Sequence, residues 1–289
     1  VAATRFNEYG TLKRLLLHPA QAAFSPARVE AQWRALNFTA PPDVSRAVDE
    51  YAAFKALVTS SGAQVDELPA DADLTLDAVY VRDASMVSPR GIILCRMGKR
   101  ARQHEPQAQR RAFEGMGLPI AGAIEPPGLL EGGDVVWFDA HTVAIGRGYR
   151  TNDAGIEQFK QLAGPEVHVH VVALPHYRGP GDVFHLMSII SPVDERLAVV
   201  YSPLMPVSFR EWLLDRGISF VEVPPEEFDT MGANVLAIAP RRCVMTDSAP
   251  ITRAALEAAG AEVLTYSGLE ISLKGGGGPT CLTRPLVRA

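Results

Sequence analysis

The 289-residue chain is long enough for one large domain or two ordinary ones, and 47% hydrophobic with 21% charged residues suits a globular protein with a sizeable core. A net charge of −5 argues against nucleic acid or an anionic membrane as partner, since both select clustered Lys and Arg; a small cationic ligand stays open. The three cysteines, Cys95, Cys243 and Cys281, are odd in number and far apart, which excludes a disulfide framework or a CxxC zinc site.

No apolar run reaches the length of a membrane span. The opening VAATRFNEYG lacks the basic-then-apolar layout of a signal peptide, so we expect a cytoplasmic protein whose Val1 follows a removed methionine. Thr11 to His18 (TLKRLLLH) predicts a buried strand ending at Pro19. Gln21 to Pro42 predicts a long loop carrying Trp33 and Phe38, one option being a lid. Val44 to Ser61 has apolar residues at helical spacing and stops at Gly62; a short strand from Ala63 to Leu68 follows.

A pattern then repeats. Ser85 to Met97, Val135 to Gly146, Ser188 to Tyr201 and Val235 to Asp247 each show an apolar strand, a turn and a second apolar strand, the signature of a β-hairpin. Helical segments come after them: Arg100 to Met116, Asp153 to Ala163, Val207 to Arg216 and Ile251 to Ala259. Each leads to a short strand: PIAGAI, VHVHVVAL, SFVEV and AEVLTY. The period of roughly fifty residues signals a repeat architecture. The C-terminal KGGGGPTCLTRPL joined to the N-terminal TLKRLLLHP supplies a fifth unit and closes a ring. The expected fold is a five-bladed α/β propeller spanning 1–289 as one domain. A doubly wound sheet also alternates strands and helices, but leaves the hairpins unexplained.

Ahead of each hairpin stands one polar residue: Asp83 in VYVRDAS, Glu131 in LLEGGDV, His185 in VFHLMS, Asn234 in GANVL and Cys281 in GPTC. Singly, each has a plain reading as an ion pair, a turn residue, a core histidine, a turn cap or a buried thiol. In a pseudo-symmetric ring, equivalent positions face one another near the axis, so all five gather at one cavity. Two carboxylates accept paired N–H bonds from a planar guanidinium. A thiol at the end of a glycine-rich loop is an accessible nucleophile, and a histidine moves protons. Cys95 and Cys243, in strand-like IILCRM and RRCVMT, are read as core thiols.

The set RD, EGGD, HLxS and GGGGPTC resembles the guanidine-modifying (pentein) superfamily, which includes dimethylarginine dimethylaminohydrolases, arginine deiminases and amidinotransferases. The resemblance covers essentially the whole chain. It implies the same propeller and no cofactor or metal. It implies that Cys281 attacks the guanidino carbon, that His185 protonates the leaving amine and then activates water, and that Asp83 and Glu131 hold the guanidinium. The thiouronium intermediate hydrolyses to citrulline and methylamine or dimethylamine. Deiminases carry an Asp two residues after the catalytic histidine; Met187 stands there instead, pointing to an Nω-methylated arginine. Arg150, in RTN, and Arg102 resemble arginines that bind the substrate α-carboxylate. Asp77 or Asp134 is expected at the α-amino or guanidino group, and the loop with Phe38 over the substrate. Alternatives are an arginine deiminase, another guanidino hydrolase or amidinotransferase, and a non-catalytic binding factor. The partner is a small guanidino molecule, with neither nucleic acid nor membrane, and the protein is a monomer or a homodimer.

Overall fold

The computed structural model describes residues 6–289; the expectation about Val1 lies outside them. In chain order the elements are β1 (Leu12–Leu17), α1 (Ala20–Ala23), α2 (Pro26–Gln32), α3 (Val44–Thr59) and β2 (Gln64–Glu67). The next unit is β3 (Ser85–Ser88), β4 (Gly91–Leu94), α4 (Glu105–Gly115) and β5 (Ile120–Ala123). Then come β6 (Val135–Asp139), β7 (Thr142–Arg147), α5 (Asp153–Ala163) and β8 (His168–Ala173). The fourth unit is β9 (Ile190–Asp194), β10 (Leu197–Val200), α6 (Val207–Asp215) and β11 (Ser219–Glu222), followed by α7 (Pro225–Phe228). The chain ends with β12 (Leu236–Ala239), β13 (Arg242–Thr246), α8 (Pro250–Ala258), β14 (Glu262–Tyr266) and β15 (Arg284–Arg288).

Four sheets repeat one plan. An antiparallel hairpin is extended by a parallel strand reached through a helix: β3-β4-β5, β6-β7-β8, β9-β10-β11 and β12-β13-β14. The fifth sheet, β15-β1-β2, builds the same plan from both ends of the chain, with β15 antiparallel to β1 and β2 parallel to it. This is the expected five-bladed α/β propeller. The parallel strand needs a crossover, so each unit must contain a helix. In α5, Ile156, Phe159 and Ala163 lie on one face and pack against Trp137, Val143 and Ile145 of the neighbouring sheet.

Two expectations about local structure change. The segment from Gln21 to Pro42 contains α1 and α2 rather than an irregular loop. Ser25 caps α2 by accepting from Arg28 N–H, and Pro26 occupies the first turn, where its missing N–H costs nothing. The helix expected from Arg100 begins later. Residues 100–102 form one 3₁₀ turn and α4 starts at Glu105, because Pro106 fits a first turn and not a helix interior. No helix among the described residues is long and apolar enough to cross a membrane.

Candidate functional site

Each blade delivers one polar side chain just ahead of its first strand, and four of the five, Asp83, His185, Asn234 and Cys281, line one cavity of about 460 Å³. That volume lies in the range of small-molecule sites. Glycines permit the crowding. A β-carbon on Gly133 would stand 2.6 Å from His185 Nδ1 and 2.7 Å from Asp83 Oδ1; one on Gly278 would stand 2.5 Å from the Asn234 amide. The second glycine of EGGD and the last of GGGG are thus where neighbouring side chains pass the backbone.

Cys281 is half-buried at the end of the glycine loop. Asn234 Nδ2 donates to its Sγ at 3.4 Å, and Asn234 Oδ1 accepts from the N–H and hydroxyl of Thr280 at 3.0 and 2.9 Å. Burial and the Asp83 charge raise the Cys281 thiol above its ordinary value, against the bonds from Asn234 and Thr280. Cys281 is therefore a thiol near neutrality. Cys95 and Cys243 are buried in the core as expected, and burial pushes Cys243 up to about 12.

His185 is 4% exposed. Its N–H donates to Ser188 Oγ at 3.1 Å, and the following Leu186 N–H donates to Asp134 Oδ1 at 2.9 Å, which fixes the turn. Its Nε2 lies 2.7 Å from Glu131 Oε2 and its Nδ1 3.9 Å from Asp83 Oδ1. Burial opposes the imidazolium, but the carboxylates of Asp83, Asp134 and Glu131 outweigh it and push His185 up to about 9. Glu131 responds in the opposite direction. Burial alone would raise it, yet His185, Arg150 and Arg102 hold it well below the carboxylate range.

Several expected substrate contacts are placed differently. Glu131 is fully buried behind His185, where it also accepts from the backbone N–H groups of Gly98 and Lys99 at 2.8 and 3.1 Å and from Arg150 Nη1. It does not reach the cavity wall. Asp134 is likewise buried, binding the Thr151 hydroxyl at 2.6 Å and the Leu186 N–H; burial lifts it to about 6. Phe38 packs in the core beneath the glycine loop while its neighbours Leu36, Asn37 and Thr39 line the cavity. Arg102 does border the cavity, but at Asp83. It gives Nη1 to Asp83 at 2.6 Å, Nε and Nη2 to Glu105 at 2.7 Å each, and Nη2 to Tyr80 O. That leaves one N–H for a carboxylate.

Arg150, Met187 and Asp77 line the cavity as expected. Arg150 meets Glu131 at 3.1 Å and Asp77 meets Lys99 at 2.6 Å. The rest of RTN braces the site. Thr151 Oγ accepts from Glu131 N–H, and Asn152 caps α5 by accepting from Gly155 N–H. Thr280 and Lys99 escaped the sequence reading. Thr280 adjoins Cys281, but Lys99 is separated from every motif and carried no signal.

Asp83, Glu131 and His185 bring ligand-type atoms within 4.8 Å of one another. Arg102 and Arg150 already occupy these carboxylates, so the donor set fits proton transfer and cation binding better than a divalent ion.

Comparison with known proteins places residues 34–288 in the match to the family described as N,N dimethylarginine dimethylhydrolase, eukaryotic. A Streptomyces coelicolor N(G),N(G)-dimethylarginine dimethylaminohydrolase is 33% identical over 181 residues, 63% of this chain and 64% of that relative. The match therefore spans less than two thirds of that relative's length. An arginine deiminase from Rhodococcus erythropolis is 28% identical, over 80% of this chain and 69% of the relative. Among solved structures, DDAH from Pseudomonas aeruginosa complexed with citrulline superposes with a TM-score of 0.76 at 20% identity, over 96% of this chain and 100% of that one. At that identity the likeness concerns the fold.

Proposed function

Because the chain belongs to the N,N dimethylarginine dimethylhydrolase family, we propose that it hydrolyses the guanidino group of an Nω-methylated arginine to citrulline and the corresponding amine. One observation carries the reading: a carboxylate-held histidine, the Asp83 carboxylate and a cysteine thiol converge on one cavity.

The substrate cation lies against Asp83, whose Oδ1 otherwise accepts, among the described residues, only from Gly133 N–H at 3.0 Å. Its positive charge offsets the burial that keeps Cys281 protonated, so binding releases the thiol proton to solvent. Cys281 Sγ adds to the guanidino carbon. His185, an imidazolium in the resting site, gives its proton to the methylated nitrogen, and the C–N bond breaks as neutral amine leaves. A thiouronium remains on Cys281. Neutral His185 then takes a proton from water as the oxygen adds to the same carbon. The C–S bond breaks, thiolate departs, and the ureido product loses one proton to solvent. Glu131 and Asp134 never touch substrate in this scheme; they position His185 and keep it charged. Arg150 is assigned to the α-carboxylate. Arg102 is assigned to holding Asp83.

The proton states give a first expectation. Turnover needs a thiolate, gained as pH rises, and an imidazolium, lost as pH rises through about 9. Hence kcat/KM rises with pH from neutrality and falls above about 9, whereas kcat is flatter on the acid side because bound substrate lowers the thiol pKa. A kcat/KM flat from pH 7 to 9 would show that the free enzyme already holds the thiolate.

The likeness to an arginine deiminase favours a second reading, with unmethylated arginine as substrate. Met187 separates the two. It lines the cavity two residues after His185, and an apolar wall accepts N-methyl groups at about 1 kcal/mol per methyl. Met187→Asp should shift the arginine to dimethylarginine ratio of kcat/KM toward arginine by about tenfold. Citrulline assays on asymmetric dimethylarginine and arginine test both points. Citrulline mainly from arginine in the wild type replaces the first reading with the second; none from either sinks both.

A further inference from the structure

A free amino acid carries an ammonium and a carboxylate at the end far from its guanidino group, and both need partners. Among the described residues, five lysines and arginines line the cavity: Lys99, Arg102, Arg150, Arg178 and Lys274. Three of them are committed elsewhere. Arg102 holds Asp83 and Glu105. Arg178 pairs with Asp229 at 2.8 Å, and both side chains are more than half exposed. Lys274 gives Nζ to Pro41 O at 3.1 Å and meets Glu270, which is buried and does not line the cavity. Arg150 and Lys99 remain.

Those two adjoin each other. The backbone N–H groups of Gly98 and Lys99 donate to Glu131 Oε1 at 2.8 and 3.1 Å, and Arg150 Nη1 donates to the same oxygen at 3.2 Å. Only a glycine lets the two segments come so near: a β-carbon on Gly98 would stand 3.0 Å from Arg150 Cα and 3.2 Å from its Cδ. The Lys99 backbone is thus pinned by the carboxylate that also holds His185.

The Lys99 side chain is 18% exposed. Its Nζ donates to Leu36 O at 2.8 Å and meets Asp77 Oδ2 at 2.6 Å. Leu36 and Asp77 line the cavity as well, so the ammonium is held at the wall from two sides. An ammonium has three N–H groups, which leaves one for a ligand. Asp77 has its Oδ2 buried against Lys99, so Oδ1 is the oxygen left for a ligand. The carboxylate and ammonium of a free amino acid share one carbon. The groups that receive them must therefore be neighbours, as Lys99 and Asp77 are.

Given the guanidino hydrolysis put forward above, on which this rests, we propose that Lys99 is a specificity-determining residue. Beside Arg150 it binds the substrate α-carboxylate, and with Asp77 at the ammonium it restricts the reaction to guanidines that carry a free α-amino acid end. Met187 reads one end of the substrate and Lys99 the other.

The test uses the full chain and two substrates: asymmetric dimethylarginine, and the same molecule without its carboxylate, a 4-aminobutyl-dimethylguanidine. Dimethylamine release follows both. Each carries the ammonium and the guanidinium, so the ratio of their kcat/KM values isolates the carboxylate. The wild type should favour the amino acid. Lys99→Met should lower the ratio by about 10–100-fold, the range for a hydrogen bond to a charged group, with the loss in KM for dimethylarginine rather than in kcat. Lys99→Gln keeps a donor for Leu36 O and Asp77; it should lower the ratio likewise and serves where the methionine variant does not fold. An unchanged ratio in a folded variant overturns the proposal, as does a wild type indifferent to the carboxylate. So does an equal loss on both substrates, which would make Lys99 a brace for Asp77. A wild type that releases amine from neither substrate sinks the hydrolysis reading and this proposal with it, so the two failures are told apart.

Discussion

Replacing Cys281 by Ser should lower kcat by at least about 10⁴-fold while leaving the affinity for substrate within a few-fold of wild type. The hydroxyl fits the space of the thiol and keeps the contact from Asn234 Nδ2, so the cavity retains its shape. Chemistry is lost because a serine hydroxyl does not ionise beside one bound cation, and His185 cannot serve as its base while protonated. Neither Cys95 nor Cys243 can substitute, since both are buried in the core and neither lines the cavity. Initial rates of citrulline formation and calorimetric titration with substrate check the two halves separately. A loss of only tenfold would mean that Cys281 is not the nucleophile.

Glu131→Gln should have the next largest effect, a fall in kcat/KM of about 10²–10⁴-fold, although Glu131 does not line the cavity. The amide keeps the size of the carboxylate but removes the charge that faces His185 Nε2 at 2.7 Å and Arg150 at 3.1 Å. His185 then drops from about 9 toward its ordinary value near 6.5, and the alkaline limb of the pH profile moves down with it. Stability changes in a defined direction as well. A histidine whose folded pKa is raised contributes stability fully present below its unfolded pKa of about 6.5 and lost as pH rises through about 9. The variant should therefore lose most stability relative to wild type at pH 6 and least above pH 9. Denaturant unfolding at both pH values, beside the pH–rate profile, distinguishes this from simple loosening of the core. An unchanged alkaline limb would contradict the assigned role.

The propeller was legible because each blade repeats hairpin, helix and strand with ordinary turn chemistry, and because both chain ends carried half a blade. The five polar positions were legible as a register. Side-chain direction was not. Glu131 precedes and Asp134 ends one 3₁₀ turn, Gly132–Asp134, and the direction of both side chains depends on that turn's backbone and on Thr151 reaching back from the loop between β7 and α5. Sequence made both candidates for substrate; the fold turns both to the histidine. Arg102 shows a different limit. Its commitment to Glu105 follows a helical i,i+3 spacing that the sequence did contain, but the contact with Asp83 joins separate turns. The α2 cap at Ser25-Pro26 was readable and outweighed by the prolines around it.

The proposed reaction passes through a covalent bond between Cys281 and the guanidino carbon of a methylated arginine. Acid quenching during steady-state turnover, followed by intact-mass and peptide mass spectrometry, tests it most directly. One adduct per chain is expected, confined to the peptide containing Cys281, equal to the substrate less its dialkylamine, and absent in Cys281→Ser. Citrulline formation at full rate with unmodified Cys281 at every quench time, and with the same rate in Cys281→Ser, would contradict it.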